Sequence, residues 1–432
     1  MVSMRFKLLL CFFAALAPHL KGQFSCQASK QAHLGSVHSS INNNAKSDTF
    51  DLHHYHLRLD LTGVQQNQFR AEARIRFSPK IAGASRLNLD LVDLQVDSLH
   101  YLLPNGQPSQ GFQYAYNDST IQIDLNQALS LGDTAELRIF YQGWPVKDAS
   151  GWGGFHADQG YYYNLGVGFA ANPHTFGRAW FPCYDNFVEK STYRLEVKSR
   201  RPFLPLLSGD SISRITLGGD TVLSSSTLAQ AIPTYLVSFA LANYQFLRDT
   251  VQGTEAPIDI LLAARAGDTS ALKGSFRNLK ATLRAFEQYY GAYRWPRIGY
   301  ALTTVGAMEH ATSIHYPLSL VDGGLSGEDI MAHELAHHWF GNLVTCRTAD
   351  DMWFNEGMAE YSSHLYSERL YGKAQYQSIV RDNAWNVLNF AASRDGGVHR
   401  ALFAPPHEYV YGYHVYQKGA MVGHNLRHYL GD

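Results

Sequence analysis

The residues best suited to chemistry lie in the segment SGEDIMAHELAHHWFGN, where His333 and His337 stand four apart and Glu334 follows the first. On a helix that spacing puts both imidazoles on one face, one turn apart, within reach of a single zinc ion. Zinc held by three protein ligands keeps a position for water and lowers the pKa of that water to ~7, so a neighbouring carboxylate can take its proton. Glu334 is placed for that role. The chain holds 20 histidines in 432 residues, so the bare pattern is only moderately specific and a third ligand must be found. Glu356, in WFNEGMAEY nineteen residues beyond His337, supplies it. One Zn2+ per chain is therefore expected on His333, His337 and Glu356. Glu360, one turn further on, reads equally well as a carboxylate orienting a ligand histidine or as an exposed helix residue.

These residues need rigid elements to carry them. Ser326 stands three residues before Asp329 in capping-box spacing and Gly341 reads as a stop, which predicts a helix of about four turns around His333. A second helix is expected from the region of Glu356 to Gly372. Upstream, LKGSFRNLKATLRAFEQYYG has helical spacing and IGYALTTVG reads as a short strand. From residue 51 to about 244 the signal is alternation instead, as in HYHLRLDL, FRAEARIRF, TIQIDL and YRLEVKS, broken by Gly, Pro, Asn and Asp. That pattern predicts a β-rich domain. The expected division is a leader over 1–22, a flexible lead-in over 23–48, a β-rich domain over 49–250 and a catalytic domain over 251–432.

Composition narrows the partners. There are 36 basic and 37 acidic residues, for a net charge of -1, and no long basic run, so a nucleic-acid partner is not expected. Arg5 and Lys7 precede an apolar run over residues 8–17, the layout of a secretory leader, and the run is too short to span a bilayer. Export to a periplasmic or extracellular compartment is expected, with no stable membrane span. Cleavage after Ala17 competes with cleavage after Gly22, because Pro18 follows directly. Cys26, Cys183 and Cys346 would remain, too few for a disulfide scaffold although one pair could form.

HELAH followed by NEGMAEY resembles the aminopeptidase N family of zinc peptidases, the gluzincins that also include the leukotriene-A hydrolases. The resemblance covers roughly residues 50–432 and implies an α+β multidomain chain. Its parts would be a β-rich, saddle-like N-terminal domain and a thermolysin-like catalytic domain that here ends short of the family's full length. TTVGAMEH is similar to the family's GAMEN loop, which implies that Glu309 grips the substrate's free amino group while Gly306, Ala307 and Met308 align or line its first residue. A carboxylate near the metal also attracts an ammonium on physical grounds and disfavours a blocked amino terminus. HVYQKG resembles the family's VYEKG segment, which implies that Tyr416 donates a hydrogen bond to the developing oxyanion. His310 stands where the family has Asn. The second amine anchor falls near Asn172 or Pro173, neither of which matches the family's acidic or amide residue. FPCYDNF matches a family segment except that Asn186 and Phe187 replace Glu-Pro, and it reads as structural. The function implied is release of N-terminal amino acids from peptides with free amino termini; the alternative is a non-catalytic binding protein that keeps the fold. The sequence leaves oligomeric state and side-chain preference open.

Overall fold

The computed structural model describes residues 43–431. The leader and Cys26 lie outside that range. Fourteen strands of the N-terminal part follow in chain order: β1 (Phe50–Asp60), β2 (Phe69–Pro79), β3 (Arg86–Asp90), β4 (Gln95–Leu102), β5 (Gln113–Tyr116), β6 (Thr120–Asp124), β7 (Ala135–Gly143), β8 (Gly154–Asp158), β9 (Tyr161–Leu165), β10 (Lys190–Arg200), β11 (Leu204–Leu207), β12 (Ile212–Gly218), β13 (Thr221–Pro233) and β14 (Phe239–Ala242). They form a seven-stranded sheet in the order β12-β13-β10-β1-β2-β7-β4, a four-stranded sheet β11-β14-β9-β8 and a three-stranded sheet β3-β6-β5. Alternation explains the faces: Tyr55, Leu57 and Leu59 of β1 are buried while Arg58 is exposed. A bulge between Leu52 and His54 shifts the register, so His53 and His54 both lie outside the core and the apolar set passes from even to odd positions.

Pairing changes hands just after β14. The strands β15 (Gln245–Gln252), β16 (Pro257–Ala264), β17 (Arg297–Thr303) and β18 (Ile314–Pro317) form a separate sheet, antiparallel between β15 and β16 and parallel thereafter. Helices follow: α1 (Thr269–Ser275), α2 (Leu279–Tyr290), α3 (Glu328–Ala336), α4 (Met352–Tyr371), α5 (Lys373–Asn386) and α6 (Gly419–Leu430). On α2, Leu279, Leu283 and Phe286 share one buried face, each contributing ~1.5–3 kcal/mol of hydrophobic stabilisation. A single apolar core runs from Phe50 to Tyr416 and joins the β-rich part to the helical part.

The helix expected around His333 is shorter than its sequence cues imply. It covers nine residues, about two and a half turns. Ser326 does not cap it; its hydroxyl donates to Asp322 Oδ2 at 2.8 Å, and the N-cap position is Gly327. The chain then leaves the α-helix at His337 and turns back on itself before Gly341, which has φ of +132°. The helix carrying Glu356 does run to Gly372.

Two glycines set the spacing of the helices behind the site. A Cβ on Gly357 of α4 would lie 2.7 Å from the Cα of Gly419, and one on Gly419 would lie 2.9 Å from the Cα of Gly357. Backbone therefore meets backbone where α4 passes the start of α6, and the glycines of NEGMAEY and VYQKG are required by that crossing. The crossing also brings the segment of Glu356 beside that of Tyr416.

Candidate metal and active site

Three side chains converge where α3 faces α4. His333 Nε2 and His337 Nε2 are 3.1 Å apart, His333 Nε2 and Glu356 Oε2 are 3.3 Å apart, and His337 Nε2 and Glu356 Oε2 are 3.2 Å apart. All three residues are buried. What lies behind the rings decides their protonation. His333 Nδ1 faces Glu360 Oε2 at 3.2 Å, and His337 Nδ1 faces the Phe340 carbonyl at 2.9 Å. Both oxygens only accept, so each Nδ1 carries a hydrogen, and each ring has a lone pair on Nε2 to turn toward the other ring and the carboxylate once the Nε2 proton is given up. Three lone-pair atoms facing one another repel unless a proton or a metal cation sits among them. Their mutual distances match the ~3.3 Å edge of a tetrahedron built on metal–ligand bonds of about 2.0 Å.

Electrostatics points the same way. Burial alone would lower the pKa of His333, but hydrogen bonds with Glu356 and Glu360 and the nearby Glu334 raise it to about 10. Burial likewise opposes ionisation of Glu360, yet its bond to His333 and the nearby His364 ring hold it at about 2. The surroundings thus demand positive charge at the centre of the triad. Glu360 is the orienting carboxylate behind His333, and the open choice about it in the sequence is settled by that contact.

Two more carboxylates border the cluster. Glu309, Glu334 and His337 each offer one ligand-type atom, and these lie within 4.8 Å of one another. Glu334 is fully buried. Glu309 is 3% exposed, and its Oε2 has no hydrogen-bond partner within the protein. Tyr416 lies in a π-helical turn, His414–Lys418, and its ring stacks beside His333 with centroids 5.9 Å apart and planes 13° from parallel.

The loop carrying Glu309 is held by the β-rich part. Met308 exchanges both backbone hydrogen bonds with His315 of β18, at 2.9 and 3.0 Å, which lays residues 306–308 along the open side of that strand. Gly306 lies so close that a Cβ there would be 3.1 Å from the His315 carbonyl oxygen. Ala307 and Met308 are fully buried, so Met308 anchors the loop through its backbone and the core. From β9, the Tyr163 hydroxyl accepts the Val305 N–H at 3.0 Å and pairs with Thr304 Oγ1 at 2.8 Å. His310 turns inward against the Asn164 carbonyl at 3.1 Å, and burial lowers its pKa to about 3. The change from the family's Asn therefore places a neutral ring in the interior, where it braces the loop.

Several supports escaped the sequence reading. Asn342 Nδ2 donates to the Glu309 carbonyl at 2.9 Å, and Lys190 Nζ of β10 donates to the Leu343 carbonyl at 2.9 Å, so the turn after α3 and the loop of Glu309 are tied together. Asn172 and Pro173 instead line a cavity of about 660 Å³ with Lys46, Asp90, Tyr116 and Arg178, a lining that includes none of the residues around the triad. In FPCYDNF, buried Asp185 pairs with Arg178 at 2.9 Å and accepts the Gly177 N–H, while Asn186 donates to Ser47. That stretch is a structural knot. Cys183 and Cys346 are buried free thiols.

Two histidines and one glutamate whose ligand atoms converge on one point, on a β-rich part joined to a helical part, form a site that fits a single metal ion of the kind metallopeptidases use. The family model described as the Peptidase M1 N-terminal domain matches residues 51–236, and the Peptidase family M1 domain matches residues 274–432. The chain belongs to peptidase family M1, and the metal its donors fit is zinc. It is 26% identical over 270 residues to probable aminopeptidase 2 of Sulfurisphaera tokodaii, an alignment covering 59% of this chain and 34% of that protein. It is 24% identical over 407 residues to the human thyrotropin-releasing hormone-degrading ectoenzyme, covering 87% of this chain and 37% of that one. The chain thus spans about a third of the length of these curated relatives. The crystal structure of an M1 zinc metallopeptidase from Deinococcus radiodurans superposes with a TM-score of 0.76 at 23% identity, covering 89% of this chain and 84% of the other. That likeness establishes the shared fold.

Proposed function

We propose that this chain is a zinc aminopeptidase that removes the first residue from peptides with a free amino terminus. The observation that carries the reading is the convergence of three lone-pair donors at 3.1–3.3 Å with the buried carboxylates Glu309 and Glu334 beside them. Zinc held by His333, His337 and Glu356 would supply Lewis acidity that polarises a carbonyl and acidifies water. The remaining work falls to the chain's own groups. Glu334 takes a proton from the attacking water and returns it to the leaving nitrogen as the carbon–nitrogen bond breaks. The Tyr416 phenol donates to the carbonyl oxygen as charge develops there. The backbone of residues 306–308 offers an edge along which the substrate aligns by strand addition. Glu309 pairs its unpartnered oxygen with the substrate ammonium, whose charge offsets the cost of a buried carboxylate.

Relatives support the reading: several carry aminopeptidase in their names, and a Deinococcus radiodurans M1 zinc metallopeptidase variant has been solved with a Tyr-Ser-Ala substrate bound. No feature of the site favours a non-catalytic binding protein, since ligands, Glu334 and Tyr416 all stand together. Export of the chain is proposed on Arg5, Lys7 and the apolar run that follows them.

Glu309→Gln tests the amine anchor. A charge-assisted bond is worth ~1.5–3 kcal/mol and a neutral one ~0.5–1.5 kcal/mol, so the exchange costs about 1–1.5 kcal/mol and kcat/KM for a free-amine aminoacyl amide should fall by roughly 10-fold with zinc retained. Unchanged kcat/KM for that substrate would remove Glu309 from amine recognition.

A further inference from the structure

The turn that carries Tyr416 is held by a group the chemistry above does not use. Asp395 is fully buried and lies on the loop before Tyr416, beyond α5 and the π-helical segment Val387–Ala391. Its Oδ1 accepts the Tyr413 N–H at 3.0 Å, and its Oδ2 accepts the His414 N–H at 2.8 Å. Those are the first two N–H groups of the helical run that leads into α6, so a distant carboxylate caps it where Gly412 has no side chain to do so. Gly412 is small for a reason: a Cβ there would lie 2.7 Å from both Asp395 oxygens. The capped turn closes on Tyr416 itself, whose N–H bonds to the Gly412 carbonyl at 3.2 Å.

A second contact locks the arrangement. His414 Nδ1–H donates to Asp395 Oδ2 at 2.6 Å, and His414 Nε2 accepts the Arg400 N–H at 3.1 Å. Arg400 Nε donates back to the Asp395 carbonyl at 2.9 Å, and Lys418 Nζ donates to the Arg400 carbonyl at 2.6 Å. The segment between Asp395 and Gly412 is therefore tied to both ends of the π-helical turn. Such turns interrupt ordinary helical register and aim one side chain away from its expected face. Here the side chain so aimed lies against His333.

We propose that Asp395 is a positioning residue for Tyr416: its carboxylate fixes the first turn of the helix that carries the phenol and so sets where the phenol stands beside the metal centre. The proposal rests on the aminopeptidase reading above. It assigns Asp395 no contact with substrate or metal.

The test is a double-mutant cycle on zinc-loaded protein, with Asp395→Asn, Tyr416→Phe and their combination assayed on an aminoacyl amide. Asn keeps the shape of Asp but must turn an N–H₂ toward one of the backbone donors. Asp395→Asn should lower kcat by about 10-fold or more, leave KM within about 2-fold and keep one zinc per chain; in the Tyr416→Phe background it should cost less than about 2-fold further. Gly412→Ala, which displaces the same carboxylate, should reproduce the kcat loss. An equal loss in both backgrounds, a change confined to KM, or failure of both Asp395→Asn and Gly412→Ala to give folded, zinc-loaded protein would overturn the proposal and leave Asp395 with a stability role only. A wild-type chain without turnover would instead overturn the aminopeptidase reading and this role with it.

Discussion

Glu334→Ala is expected to retain one zinc per chain and to lose about 10²- to 10⁴-fold in kcat, the range supplied by a positioned general base. The expectation follows from where Glu334 stands. It follows His333 directly on α3, so it is rotated about 100° from the face that carries the two imidazoles, and the three ligand atoms at 3.1–3.3 Å do not include it. Its removal leaves those atoms, the Glu360 contact behind His333 and the Phe340 contact behind His337 intact. It is nonetheless buried and within 4.8 Å of both Glu309 and His337, as a base beside the reacting water must be. Metal analysis and single-turnover kinetics on the same preparation separate the two properties. Near-normal, chelator-sensitive turnover would remove Glu334 from the proton transfers.

His337→Ala should fail differently, by losing the metal together with turnover. The remaining pair, His333 and Glu356, leaves the cation with two protein ligands, and two are fewer than the three that catalytic zinc sites use. The loss is also structural. The Nδ1–H of His337 holds the Phe340 carbonyl, so the turn that presents Asn342 to the Glu309 carbonyl is released as well. Because a ligand that binds only the folded state stabilises it by mass action, the wild-type melting temperature should drop on chelation whereas that of His337→Ala should not respond. Zinc content falling to a small fraction of one per chain is the expected reading. Full zinc retention would contradict the ligand assignment.

Much of the metal centre was legible because it is local. His333 and His337 are joined by helical periodicity, and Glu356 lies in the second turn of a helix whose end at Gly372 the sequence also marks. The length of α3 is not legible in the same way, because local cues compete with tertiary ones. Ser326 bonds to Asp322, and the chain unwinds after His337 to bring the Phe340 carbonyl under that ring. The supports of the Glu309 loop were not legible at all. Tyr163 and Asn164 reach it, and Lys190 reaches the turn after α3 that is tied to it, from strands more than a hundred residues away, and no local spacing encodes such pairings. Asp395 is hidden for a similar reason. A helix cap is sought in the residue just before the helix, and here that residue is Gly412 while the carboxylate arrives from outside. Alternation gave the β-rich part readily, since each strand with one buried face must repeat every second residue, but sheet order depends on pairings such as parallel β1 with β10 that alternation does not specify.

One zinc and a buried amine-binding carboxylate acting on the same substrate make free-amine selectivity and metal dependence inseparable. Hydrolysis of matched fluorogenic aminoacyl amides, one with a free amine and one N-acetylated, tests it directly on the zinc-loaded chain. Cleavage of the free amine only, abolished by chelation and restored by zinc, is expected. Equal cleavage of the acetylated amide, or cleavage that survives complete removal of the metal, would contradict it.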